Sequence, residues 1–240
     1  MCGRFSLTVD NIENVIKKFD AHISEDYRSY KPRYNISPGQ PVPAIVTKEG
    51  GKRYLMNMLW GFIPPWGQKP EGDIISQANI RDDTIAKNKY FQERLLKNRC
   101  IIIADGFYEW KKPVGYEHIK RGEKLPKGVR KIPYRIVLKN RQPFPLAALW
   151  CSVMIEKMAL LTTAIITTQP NTLMSKIHDR MPVILNDADL EQWLNPDLKF
   201  LSLMQKMLVP YPEEEMEAYP VSFAVNNSKN DSPTCIEPAV

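Results

Sequence analysis

The residues that invite chemistry begin at the second position, in Met1-Cys2-Gly3-Arg4. Methionine aminopeptidase removes Met1 when the next residue is small, so the mature chain is expected to begin with Cys2. An N-terminal cysteine carries an α-amine and a thiol on adjacent carbons, with reference pKa values near 8 and about 8.5, both below that of lysine. Such a 1,2-aminothiol condenses with an aldehyde to an imine, which the thiol then closes to a five-membered thiazolidine. An internal cysteine has no amine to offer and cannot react this way.

Three further places carry polar residues that packing alone does not demand. Asn79 and Arg81 stand in SQANIRDDT, where an Asn fits a cap or a strand end and an Arg fits a surface charge. Glu109 stands in ADGFYEW, between Tyr108 and Trp110. At the end of a buried strand such a carboxyl has a raised pKa suited to acid–base work, whereas on the solvent face it is only a charge. His178 stands in Ile177-His178-Asp179-Arg180-Met181-Pro182. It fits a structural histidine, or a proton shuttle held in one tautomer by a neighbouring carboxylate, with Arg180 suited to phosphate.

The remaining cysteines, Cys100, Cys151 and Cys235, form no CxxC pair, and Cys100 and Cys151 sit in strand-like apolar runs that fit reduced core thiols. The three histidines (His22, His118, His178) lack clustered partners, so no metal site is expected. A charged fraction of 25% and a hydrophobic fraction of 43% are those of a folded globular chain. No apolar run is long enough to span a membrane and no secretory signal is present, so a cytoplasmic protein without a membrane partner is expected. The net charge of +6 favours a polyanionic partner. Much of it lies between Lys111 and Lys131, where eight Lys or Arg face only Glu117 and Glu123. That stretch fits a solvated loop and a phosphate-contacting one equally well.

The elements that must position these residues read as α+β in one domain over residues 1–240. Asp10 and Glu13 suggest a capping box before a first helix with Ile12, Val15, Ile16 and Phe19 on one face. Residues 28–43 read as a Pro/Gly-punctuated loop, followed by strands at PAIVTK and RYLMNMLWGF and a helix over 83–97. CIIIADGFYEW reads as one buried strand with a polar tail. PYRIVLKN, PLAALWCSV and ALLTTAIITT read as further strands. The helix NTLMSKI leads into HDRMPVIL, helices follow at 187–194 and 197–207, and the acidic run 213–217 reads as solvated. No Gly-rich βα turn appears, which argues against a dinucleotide fold.

Taken together, MCGRF, YNISPGQ (34–40), LWGFIPPW (59–66), NIR (79–81), ADGFYEW (104–110), IHDRMPVIL (177–185) and AVNN (224–227) resemble the SOS response-associated peptidase (SRAP) family of abasic-site processing proteins. The resemblance runs in order along essentially the whole chain. It implies a single SRAP-type domain, mainly antiparallel strands in a curved or barrel-like sheet flanked by helices. It implies a monomeric, cytoplasmic DNA-damage protein that needs no cofactor and associates with the nucleoid when bound to DNA. Its partner would be single-stranded DNA containing abasic sites, captured as a thiazolidine crosslink between Cys2 and the sugar aldehyde. Carried over by position, Asn79 would orient the Cys2 amine, Glu109 would act as general acid and base, and His178 would assist sugar opening and later steps. Arg4, Arg81 and Arg180 would hold flanking phosphates, and Trp66 would stack on or wedge the bases. Family members can carry a second Trp where Gly67 follows here, which shifts the wedge towards Phe62 or Ile63. The peptidase label implies self-removal of a leading segment, and only Met1 precedes Cys2.

Two other classes start from the same residues. An N-terminal-nucleophile glutamine amidotransferase also begins Cys-Gly, but it needs a second domain to consume ammonia. A non-covalent damaged-DNA-binding module needs the basic charge but not the coincidence of Cys2, Asn79, Glu109 and His178.

Overall fold

The computed structural model describes residues 2–25, 27, 29–68, 73–119 and 123–239. Met1 and residues 120–122 of the basic segment lie outside them. In chain order the first half comprises β1 (Phe5–Leu7), α1 (Ile12–Lys18), β2 (Ala21–Ile23), β3 (Arg33–Ile36), β4 (Pro41–Thr47), β5 (Arg53–Trp60), β6 (Asn79–Arg81), α2 (Asp82–Lys87) and α3 (Lys89–Lys97). The second comprises β7 (Arg99–Ala104), β8 (Gly106–Lys111), β9 (Ile132–Leu138), β10 (Phe144–Ile155), β11 (Met158–Thr168), α4 (Thr172–Ser175), β12 (Met181–Pro182), α5 (Asp187–Leu194), α6 (Leu201–Lys206) and β13 (Met216–Pro220).

The larger sheet runs β12-β11-β10-β7-β4-β5-β2. β11 turns back to pair with β5 in parallel, at Thr162 with Leu59 and Thr163 with Trp60. That pairing closes β5, β4, β7, β10 and β11 into a barrel and leaves no bare edge among them. The continuous apolar run of β7 follows from this closure, because all six of its residues are buried. The fold is therefore the expected α+β barrel-like architecture with helices around it.

Helix ends are held by one buried cation. Arg99 donates to the carbonyls of Leu95 and Leu96 at the end of α3, and to those of Trp193 and Asn195 at the end of α5. Carbonyls left open at two helix ends thereby find donors. Burial pushes the Arg99 guanidinium down to about 10.

The smaller sheet, ordered β13-β9-β8-β1-β3, carries the amino terminus. Asp105 is the hinge between the two sheets. Its Oδ1 accepts from Ser6 Oγ at 2.6 Å and from Arg135 Nη2 at 3.0 Å, while its Oδ2 accepts from Thr8 Oγ1 at 2.6 Å. This buried carboxylate is thus paired and hydrogen-bonded, as an interior charge must be. Gly106 is required beside it, since a Cβ there would sit 2.7 Å from Nε of Arg135.

Several sequence expectations shift. CIIIADGFYEW is two strands broken at Asp105, because that carboxylate turns the chain from one sheet into the other. The helix over 83–97 is two helices, and Asn88 ends the first and caps the second by accepting from Tyr90 N. The cap of α1 is Asn11, one residue after the Asp10 expected. The loop at 28–43 contains β3, and the helix expected over 197–207 shortens to Leu201–Lys206. Phe62 and Ile63 are 0% and 3% exposed, so neither can wedge bases.

Candidate active site at the amino terminus

β1 lies between β8 and β3, and its pairing with β8 sets Phe5 opposite Phe107 and Ser6 opposite Gly106. Tyr108 N donates to Arg4 O at 2.9 Å, which continues that register towards the amino terminus. One residue further on, the same register sets Glu109 beside Gly3. The sheet register therefore brings the carboxyl of ADGFYEW to the start of the chain.

Glu109 is 3% exposed, and burial pushes its carboxyl up to about 7, with the charge of the chain's amino terminus pulling the other way. Near neutral pH it is therefore divided between acid and base. Cys2 is fully buried. Burial, and then the charge of Glu109, hold its thiol far above the usual range, so at rest it is protonated.

Asn79 reaches the same place from β6, a three-residue strand held in parallel against Ile165–Thr167 of β11. Its Nδ2 donates to Cys2 O at 2.9 Å, and its Oδ1 is buried without a hydrogen-bond partner. A buried acceptor in that position awaits an N–H.

His178 arrives on a turn after α4, where its own N–H donates to Met174 O at 2.8 Å. Its Nε2 lies 3.8 Å from Oε2 of Glu109. The other nitrogen, Nδ1, is 3.1 Å from the N–H of Arg180 and 3.0 Å from Oδ1 of Asp179. Neutral imidazole with its proton on Nε2 accepts from Arg180. Imidazolium donates to Asp179. Both protonation states have a partner ready, as a proton relay needs.

The arginines are differently placed. Arg4 is half-buried and donates to Asn35 Oδ1 at 2.8 Å and Val225 O at 2.9 Å, with its guanidinium 5.8 Å from the ring centroid of Trp110. Arg81 is half-exposed and forks onto Asp83, with Nε 2.9 Å from Oδ1. Arg180 is buried, bonded to Asp82 Oδ1 at 2.6 Å and to Thr167 O. Trp66 is exposed on the turn Pro65–Gly67 and packs edge-on to Tyr90 at 4.6 Å, with no ring contact to the Cys2 group. Gly67 is fixed by the same turn: a Cβ there would lie 2.7 Å from Ile75 O, so a second Trp does not fit without moving backbone.

Asn35, Asp82 and Asp83 were not singled out by sequence. Asn35 is fully buried and also donates to the carbonyls of Asn227 and Asn230, which ties the AVNN turn to Arg4. A polar residue inside the strand of YNISPGQ was the available signal. Two clefts flank the cluster. One of about 410 Å³ is lined by Asn79 and Arg81, and one of about 300 Å³ by Trp110, His178 and Asp179. Among the described residues no group of three His, Cys, Asp or Glu could hold a metal ion.

The barrel thus brings Cys2, a buried carboxyl and an oriented histidine to one place near the start of the chain. The family model for SOS response associated peptidase (SRAP) matches residues 1–228, and the chain belongs to that family. Among its relatives is the abasic site processing protein YoqW of Bacillus subtilis (strain 168), 40% identical over 240 residues covering 99% of each chain. The abasic site processing protein HMCES of Gallus gallus is 30% identical over 240 residues, covering 87% of this chain and 67% of that one. A crystal structure of a protein from Bacteroides thetaiotaomicron superimposes over the full length of both chains with a TM-score of 0.76 at 26% identity.

Proposed function

We propose that the protein captures abasic sites in single-stranded DNA through a covalent thiazolidine between Cys2 and the sugar aldehyde. The names of the relatives support the substrate, since YoqW and HMCES are each an abasic site processing protein. One observation carries the chemistry: the β1–β8 register sets a buried carboxyl with a pKa of about 7 beside the start of the chain.

The steps balance with loss of one water. Met1 is removed, freeing the α-amine of Cys2, towards which the buried Oδ1 of Asn79 serves as acceptor. The amine attacks C1′ of the ring-opened sugar and passes one proton to the new hydroxyl; protonated Glu109 then gives its own proton as that hydroxyl departs as water, leaving an iminium. The amine acts first because the thiol is held protonated. Glu109, now a carboxylate, takes the thiol proton as sulfur adds to the iminium carbon, which leaves a neutral thiazolidine N–H and returns Glu109 to its acid form. His178, 3.8 Å from Glu109, relays protons during ring opening of the sugar and on reversal. Arg81 and Arg4 hold flanking phosphates, and exposed Trp66 stacks on a base. Arg180 adds its remaining donors and fixes the turn that aims His178.

Single-stranded DNA bearing an abasic site, incubated with purified protein and no borohydride, should give a denaturation-resistant band. The intact mass should show loss of Met1 and one added strand less one water. Absence of the band with wild type, or an equally durable band with Cys2→Ala, overturns the reading.

A further inference from the structure

The cleft beside His178 holds more than the reacting groups. Its walls carry Lys111, Lys112, Lys131 and Lys176, from the two ends of the 112–131 segment and from the turn after α4. Against them stand Glu117 and Asp179. Asp179 is turned to His178 Nδ1 at 3.0 Å. The Lys112 ammonium is occupied within its own loop, donating to Glu117 O at 3.1 Å and to Ile119 O. Lys131 and Lys176 are exposed and have no acidic partner among the described residues. Trp110 forms another wall, half-buried and fixed by its Nε1 donating to Asn226 Oδ1 at 2.7 Å.

We propose that this cleft is a binding site for the phosphodiester backbone of the single strand on one side of the abasic nucleotide. Lys131 and Lys176 each contact a phosphate, and Trp110 packs against the sugar or base between them. The proposal rests on the reading of Cys2 above and assigns a path to the strand that leaves it. Three features carry it. The lysines converge on a concave surface and not on a convex one. The cleft opens on His178, and so on the reacting centre. A cationic groove with a rigid aromatic wall suits a strand of any sequence. The opposite cleft differs, because Arg81 there is already engaged by Asp83.

The test is the salt dependence of binding to an undamaged single-stranded oligonucleotide, followed by fluorescence anisotropy. Each lost phosphate contact lowers the slope of log K against log salt by about 0.7, so Lys131→Ala with Lys176→Ala should lower it by about 1.4. A control pair, Lys48→Ala with Lys199→Ala, removes two lysines from a cleft of about 280 Å³ that shares no lining residue with the one beside His178, and should keep the wild-type slope. Crosslink yield at saturating abasic strand should stay within about twofold of wild type in the control pair. An unchanged slope in the Lys131/Lys176 pair, or an equal fall in the control, overturns the proposal. If wild type itself forms no crosslink, the capture reading fails instead.

Discussion

Oε2 of Glu109 lies 3.8 Å from Nε2 of His178, although one comes from β8 and the other from a turn some 70 residues later. The gap is too long for a direct hydrogen bond and short enough for a proton to cross by a small movement or a bridging water.

The first prediction concerns the protonation of Glu109. Its folded pKa lies above the ordinary value of 4.5, at about 7, so the folded state keeps the proton to higher pH. The contribution of Glu109 to stability should therefore be greatest at or below pH 4.5 and fall as pH rises towards 7, by at most about 3 kcal/mol. In Glu109→Gln that part of the pH dependence should vanish. Denaturant unfolding at pH 5 and pH 8 measures the difference between the two proteins. The same variant should slow crosslinking by about 100-fold while binding undamaged strand like wild type.

Asn79→Ala removes the hydrogen bond to Cys2 O and the buried acceptor beside it. Loss of one orienting bond worth about 1 kcal/mol should slow capture by roughly fivefold at saturating DNA. Single-turnover rates read this directly, and a matching loss of plain DNA affinity would make Asn79 a binding residue instead.

Asp82 neutralises a buried arginine, with side chains 8% exposed for Arg180 and 24% for Asp82. Asp82→Ala should cost about 3 kcal/mol by leaving that charge unpaired. Capture should slow as well, because the N–H of Arg180 orients His178. A double-mutant cycle with Arg180→Ala should return a coupling above about 1 kcal/mol, and additive losses would refute the link.

Asp83 competes with DNA for Arg81. Their ion pair is half-exposed and worth at most about 1 kcal/mol. Asp83→Asn should therefore raise affinity for undamaged single strands by up to about fivefold, most visibly at low salt.

The candidate site residues were legible because Glu109 inside FYEW and His178 before DRMP interrupt an apolar context, and because Cys2 stands second in the sequence. Long strands were legible for the same reason, since β10 and β11 are runs of apolar and β-branched residues. What escaped was structure made by long-range pairing. β6 has three residues and no periodicity of its own, and it exists because Ile165–Thr167 of β11 offers it an edge. β3 hides among prolines and glycines and forms against β1. The break at Asp105 depends on Ser6, Thr8 and Arg135, partners that lie far away in sequence. Asp82 and Asp83 look like ordinary helix-start acids until Arg180 and Arg81 are found on them.

β1 has neighbours on both sides, and Ser6 and Thr8 are bonded to the buried carboxylate of Asp105. A strand joined to Cys2 is therefore tethered to an interior ladder and not to a frayed tail. On the proposed reading, tension along a crosslinked strand would enter the fold at residues 2–4. It must strip β1 from β8 and β3 together, and drag two hydroxyls off Asp105, before the chain gives way. A crosslink at Cys2 would thus be backed by the sheet and not by a loose end.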